Sequence, residues 1–198
     1  MRAYKMVGPR GLQGGARRAS TYSDDRPCRK QSTGSALAGV RDYVRAIIQG
    51  KDMYIADAKR LTHAGARMMV DSAIEKARAA GIAISCCVTD AGGHIVILER
   101  MDGGRFHTLH SCTTKAVCAA SNRRPTSAKG AVGQDLDVTH AIGLALAAGP
   151  QRWTAMEGGV PVVVDGECIG GVGVSGGDWQ TDLRIAQAAV ESIGASWK

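Results

Sequence analysis

The segment 102–118 holds the densest group of side chains that could bind a ligand or transfer a proton. Asp102 and Arg105 are followed closely by His107 and His110. On a helix, a spacing of three residues lets two imidazoles reach a single metal ion or a haem-sized group. The same spacing also occurs on ordinary solvated helix faces, and a specific metal site needs further ligands that this segment does not name.

A helix predicted over 106–121 gathers these histidines on one polar stripe. With about 100° of rotation per residue, the stripe consists of His107, His110, Ser111, Thr114 and Cys118. The opposite side carries Leu109, Cys112, Ala116 and Ala119 and is expected to face the core. The members of the polar stripe could then all contact one ligand.

Lys115 lies at the edge of this stripe, about 80° from His107 on the helical wheel. It stands among small apolar residues, which indicates a largely buried helix. A buried lysine needs an anionic partner, and a ligand carboxylate or propionate could supply one. The alternative is an ordinary solvated lysine.

Two hairpins and several helices must position these side chains. The predicted strands are 82–89 and 94–99 in one hairpin, and 160–164 and 168–174 in another. The predicted helices are 36–49, 53–80, 106–121, 135–148 and 180–194. Asp165-Gly166 between the later strands is among the strongest short-range hairpin signals, and Gly81 should end a helix in the left-handed conformation. Hairpins pair strands antiparallel, so the predicted fold class is α+β, an antiparallel sheet flanked by helices.

Glycines recur in the last predicted strand, at Gly170, Gly171 and Gly173. They offer a ligand only backbone, because they have no side chains. We therefore expect this strand to form a wall against which the 106–121 helix, or a neighbouring subunit, packs closely. Ser175 and Gly176 at its end remain candidates for direct ligand contact.

The positive charge of the chain is concentrated at its start. The 198 residues carry a formal net charge of +7. Residues 1–35 hold 8 basic and 2 acidic side chains and lack an apolar period, which predicts a disordered basic tail. Residues 36–198 hold 17 basic and 16 acidic side chains and are predicted to form one domain. A nearly neutral domain argues against nucleic acid as a partner.

Membrane spans, signal peptides and disulfides have no clear signature in the sequence. The chain has no apolar run of about 18 residues, and its six cysteines include no Cys-x-x-Cys pair. We expect buried free thiols and no structural zinc site. These features predict a soluble, cytoplasmic protein that does not bind a membrane.

Several motifs together resemble the GlcG/HbpS family over residues 53–195. They are Val88-Thr89-Asp90-Ala91-Gly92-Gly93-His94, Arg100-Met101-Asp102-Gly103, Lys115-Ala116, Pro125-Thr126, Gly158-Gly159-Val160-Pro161 and Ile169–Gly177, followed by Asp182 and Ala186. Members of this family are small, often haem-associated domains, and one also forms the C-terminal part of PduO-type corrinoid adenosyltransferases. The resemblance implies a profilin-like sandwich, a homo-oligomer, and binding of haem or a related tetrapyrrole in some members. The stretch Gly104–Thr108 departs from the family pattern, which favours a specialised site around His107 and His110.

Two functions follow as hypotheses. In the first, the 102–118 loop and helix bind haem or a related small molecule, with His107 or His110 as axial ligand. The other cofactor-binding candidates are Arg105, Thr114, Ser175 and Gly176.

In the second hypothesis, the protein is a small-molecule enzyme of a catabolic or biosynthetic pathway. Its catalytic candidates are His107, His110, Asp102 and Lys115, and its divalent-metal candidates are His107, His110 and Glu99. Lys115 and Arg105 would hold an anionic substrate. A scaffold without a ligand is a third alternative, and the sequence leaves all three open.

Overall fold

The computed structural model describes residues 56–198. The predicted tail 1–35, the predicted helix 36–49 and the first residues of the predicted helix 53–80 lie outside the described residues. In the described part, the helices are α1 (His63–Ala79), α2 (Thr108–Asn122), α3 (Val138–Ala148) and α4 (Trp179–Glu191). The strands are β1 (Ser85–Asp90), β2 (Ile95–Arg100), β3 (Gly159–Val164) and β4 (Glu167–Ser175).

Helix α1 begins later than its apolar period predicts. Residues 56–62 are not helical, so the prediction of a helix from 53 is wrong over that stretch. Thr62 is the N-cap, and its hydroxyl accepts a hydrogen bond from the Gly65 N–H at 3.1 Å. The backbone before Thr62 is bound to the β3–β4 hairpin instead of continuing the helix, since the Lys59 N–H donates a hydrogen bond to the Glu167 carboxylate. The far end is as predicted, because Gly81 has a φ of +69°.

The four strands form one antiparallel sheet in the order β2-β1-β4-β3. The β3–β4 turn places Asp165 at φ 51° and Gly166 at φ 79°, both in the left-handed region that a tight hairpin of this kind requires. In the β1–β2 turn, the Asp90 carboxylate accepts hydrogen bonds from the N–H groups of Gly92 and His94. The predicted α+β class, an antiparallel sheet flanked by helices, is confirmed.

The sheet separates two helical layers of different character. On one face, α1 and α4 bury a conventional apolar core that includes Met69, Val70, Val172 and Val190. On the other face, α2 lies almost directly on the strand backbone. A Cβ atom on Gly173 would lie 2.0 Å from the Cys112 carbonyl oxygen, so only glycine fits there. The predicted glycine wall behind α2 is confirmed.

Helix α3 differs from the others because it presents its apolar residues outward. Val138, Ile142 and Leu146 are 75%, 55% and 72% exposed. None of its 11 residues, all of which the structure describes, is buried. Among the described residues, no helix combines the length and the apolar character that crossing a bilayer requires.

Candidate functional site

The polar stripe of α2 is divided by a chain segment that crosses it. Cys118 is only 1% exposed, and its thiol approaches the Thr154 carbonyl oxygen at 3.5 Å. Gln151, just before this crossing, lines a cavity with His110, whereas Met156, just after it, lines a cavity with His107. The two histidines therefore line different cavities, and contact of the whole stripe with one ligand stays a prediction.

The first cavity, which we call the His107 cavity, has a volume of about 380 Å³ and a polar, charged lining. It lies between the start of α2, the end of β4 and the start of α4. Its lining includes six polar or charged side chains that could contact a ligand or one another: Arg105, His107, Lys115, Glu157, Ser175 and Asp182.

Lys115 and Asp182 form a buried ion pair at the base of this cavity. Lys115 Nζ lies 3.0 Å from Asp182 Oδ2 and donates to the Val174 carbonyl oxygen at 2.8 Å. Both side chains are 5% exposed. The second carboxylate oxygen of Asp182 accepts the Gly177 N–H at 2.9 Å. Of the two alternatives for Lys115, the structure shows the buried one, and its partner is a protein carboxylate.

The backbone around this ion pair leaves no room for another side chain. Gly158 has a φ of +100°, and a Cβ there would lie 2.9 Å from both Lys115 Nζ and the Asp182 Cβ. Glycine is therefore required at the start of β3 for the pair to form.

Arg105 closes one side of the His107 cavity. Its guanidinium donates to the Gly176 carbonyl oxygen at 3.1 Å, which ties the loop before α2 to the end of β4. Ser175 is 9% exposed and lines the cavity beside it. Of the predicted residues, Arg105, His107, Lys115 and Ser175 come together here, and Gly176 contributes its backbone.

A second depression, which we call the outer groove, runs along the other side of α2. It consists of two adjoining cavities of about 770 Å³ and 300 Å³ that share the lining residues Ile95, Thr113 and Gln151. His110 and Thr114 line the smaller cavity. Apolar walls come from Leu98, Leu109, Val117 and Trp153. Leu109 was predicted to face the core, but it is only half-buried and lines this groove with Ile95 and Leu98 of β2.

Sequence reasoning missed the residues that complete the larger cavity. His94, Arg152 and Trp153 line it. The His94 Nδ1 lies 3.2 Å from the Asp90 carboxylate, which leaves Nε2 as the ring nitrogen for a ligand. The backbone N–H of His94 also donates to Asp90 and lowers the pKa of that carboxyl group. In the sequence, Arg152 and Trp153 follow the turn-forming pair Gly149-Pro150, and this cation and aromatic ring next to a turn could have indicated a binding residue there.

Two predicted residues lie away from both cavities. Glu99 pairs with Arg67 of α1 at 2.7 Å, on the face of the sheet opposite α2, so it cannot join His107 and His110 around one metal. Asp102 is exposed in the turn after β2 and lines neither the His107 cavity nor the outer groove. Within residues 56–198, no three His, Cys, Asp or Glu side chains are grouped so that they could hold a metal ion.

The cysteines behind α2 are structural. Cys87 of β1 and Cys112 of α2 pack with Ala116 between the sheet and the helix. Burial raises the pKa of the Cys87 thiol to about 11 and that of Cys112 to about 12. Such thiols remain protonated at neutral pH and are poor nucleophiles. The five cysteines in the described part of the chain are all free, as predicted.

Comparisons with known proteins agree with this architecture. GlcG of Escherichia coli strain K12 is 40% identical over 101 residues, which span 51% of this chain and 70% of GlcG. The crystal structure of Klebsiella pneumoniae protein ORFY superposes with a TM-score of 0.63 at 30% identity, over 72% of this chain and 97% of ORFY. The PduOC–haem complex superposes with a TM-score of 0.62 at 25% identity, over 70% of this chain and 99% of PduOC.

The part of the chain that matches a protein family contains the sheet, the His107 cavity and the outer groove. The family model described as "Haem degrading protein HbpS-like" matches residues 61–191, which include every strand and helix α2. The chain belongs to this GlcG/HbpS family.

Proposed function

We propose that this protein binds haem or a related planar tetrapyrrole in the outer groove, with His110 as an axial ligand. The observation that carries the proposal is the groove itself, in which an imidazole lies among apolar walls on the open side of α2. A structural neighbour that forms a haem complex and the haem-related description of the family support it.

The groove suits a large planar ligand better than the His107 cavity does. Cofactor sites commonly have volumes of about 300–1,000 Å³ and mostly apolar linings. The larger part of the groove has about 770 Å³, whereas the His107 cavity has about 380 Å³ and several charged groups. Ile95 and Leu98 are 50% and 38% exposed on the groove wall. Apolar side chains left open together on one wall are typical of a ligand site.

The residues of the groove have separable roles in this proposal. His110 would supply an imidazole nitrogen to the iron, and His94 lines the adjoining larger cavity with a second imidazole. Trp153 and Val117 would give the ligand apolar contact in the larger cavity. Arg152 would pair with a propionate, because guanidinium forms two-point hydrogen bonds with carboxylates. The bound haem would supply an iron centre whose reactivity depends on this axial ligand.

Titration of the purified protein with haemin tests the proposal. We expect a shifted Soret band that saturates at a fixed ratio of haem to protein. A titration that shows only the spectrum of free haemin would contradict it.

We also propose that the protein is a homo-oligomer whose copies meet through α3. The supporting observation is the row of exposed apolar residues Val138, Ile142 and Leu146, spaced four apart on one side of that helix. Residues at this spacing form a continuous stripe that is stabilised by covering it.

We further propose that the protein works in the cytoplasm. The free cysteines support this, since the cytosol keeps thiols reduced.

A further inference from the structure

We propose that the His107 cavity is a second ligand site, separate from the outer groove, and that it binds a small organic carboxylate carrying an additional hydrogen-bond donor. The proposal starts from Lys115. An ammonium group has three N–H donors, and two of them go to Val174 and Asp182. Lys115 lines the cavity although its side chain is 5% exposed, and we assign the remaining donor to a molecule inside it.

Arg105 offers further donors to the same molecule. One of its guanidinium nitrogens is fixed by the Gly176 carbonyl oxygen at 3.1 Å, which holds the group at the cavity wall. The guanidinium has five N–H donors, and most remain available for a ligand. A guanidinium and an ammonium that line one cavity are suitable partners for one carboxylate.

Ser175 adds a neutral polar group to the same cavity. It is 9% exposed at the end of β4 and lines the cavity together with His107. Its hydroxyl can both donate and accept, so it can contact a carboxylate oxygen or a neighbouring hydroxyl of the ligand.

The charges of the cavity limit the ligand class. Apart from His107, its lining holds two cations, Arg105 and Lys115, and two carboxylates, Asp182 and Glu157, so these formal charges cancel. Asp182 pairs with Lys115, which leaves Arg105 to meet a ligand carboxylate. This suits a monoanionic carboxylate better than a phosphate dianion. Glu157 also lines the cavity, and its carboxylate can accept a hydrogen bond from a hydroxyl or amino group of the ligand. Met156 and Trp179 provide apolar contact at the rim.

Binding measurements with four probes test the proposal. Lactate, alanine, propionate and inorganic phosphate are titrated into the full-length protein and followed by saturation-transfer NMR and calorimetry. We expect lactate or alanine to bind more tightly than propionate, which lacks the extra donor, and more tightly than phosphate. Tighter binding of phosphate, or no binding by any carboxylate, would overturn the proposal.

Two variants locate the site without breaking the buried ion pair. Removing a charged hydrogen bond in Arg105→Gln should weaken carboxylate binding by about tenfold or more, and Ser175→Ala should weaken it less. Arg100→Gln, which removes an exposed charge from the preceding strand, should leave it unchanged. Equal affinities in Arg105→Gln and Arg100→Gln would overturn the assignment. Haemin titration of Arg105→Gln should match that of the wild type. A loss of carboxylate binding with unchanged haem binding would then separate this proposal from the proposed haem site in the outer groove.

Discussion

Lys115 Nζ and the Asp182 carboxylate lie 3.0 Å apart and connect α2 to α4 past the end of the sheet. These helices pack on opposite faces, so the pair joins the two layers at the point where β3 begins and β4 ends. The 67 residues that separate the partners in sequence make this a long-range contact. It fixes the base of the His107 cavity and orients the start of α4.

Replacing Lys115 by methionine should destabilise the protein by about 3–5 kcal/mol, because the Asp182 charge would remain buried without its partner. Urea denaturation measures the change. The matched control is Lys59→Met, since Lys59 pairs with Asp165 at the surface, and an exposed, solvent-screened pair contributes little to stability. Similar losses in the two variants would show that the buried pair has no special role.

Gly173→Ala should destabilise the protein by about 3 kcal/mol or more, since the new Cβ would overlap the Cys112 carbonyl and push α2 off the sheet. Gly143→Ala on α3 is the control, because a Cβ there meets no atom within 4 Å. That change should stabilise the helix by about 0.5–1 kcal/mol. Thermal and urea denaturation of both variants would reveal opposite signs, and a tolerated Gly173→Ala would contradict the close packing of α2.

The buried thiols predict a loss of stability in alkaline solution. In the unfolded chain thiols ionise above about pH 8.5, whereas burial raises the pKa of Cys87 to about 11 and that of Cys112 to about 12. Between these values the unfolded state releases protons that the folded state keeps. The free energy of unfolding should therefore fall as pH rises, by up to about 1.4 kcal/mol per pH unit for each thiol.

Urea denaturation at several pH values from 7.5 to 10.5 measures this slope. Cys112→Ala should reduce the slope whatever its effect on stability at pH 7.5. An unchanged slope in the variant would show that the thiol does not contribute.

Adding charge to the apolar stripe of α3 should break the proposed association. Leu146→Glu places a carboxylate in the stripe, and the mass in solution should fall towards that of one chain. Thr139→Glu adds the same charge to an exposed position of α3 outside the stripe and should leave the mass unchanged. Light scattering coupled to gel filtration distinguishes the two, and a wild-type protein that is already monomeric would contradict the proposal.

Local sequence signals were sufficient where a turn or a glycine decides the structure. Asp165-Gly166 predicted the β3–β4 hairpin because few other dipeptides accept two left-handed residues in succession. The glycines of β4 predicted the close approach of α2 for the same kind of reason, since a missing Cβ is visible in the sequence.

The candidate site was harder to predict because distant segments shape it. The helical wheel correctly placed Cys112 and Ala116 against the sheet, but it could not show that Thr154 crosses the polar stripe. Nor could local patterns identify Asp182 as the partner of Lys115, or show that Glu99 points to the other face of the sheet. These features depend on tertiary contacts between residues far apart in sequence.

Haem binding in the outer groove is tested most directly by comparing haemin titrations of His110→Ala and His107→Ala with that of the wild type. The two histidines are neighbours on α2 but line different cavities. If haem lies in the outer groove with His110 as an axial ligand, His110→Ala should lose or shift the Soret band while His107→Ala retains the wild-type spectrum and affinity. A normal spectrum in His110→Ala together with its loss in His107→Ala would show that haem does not bind through His110 in the outer groove.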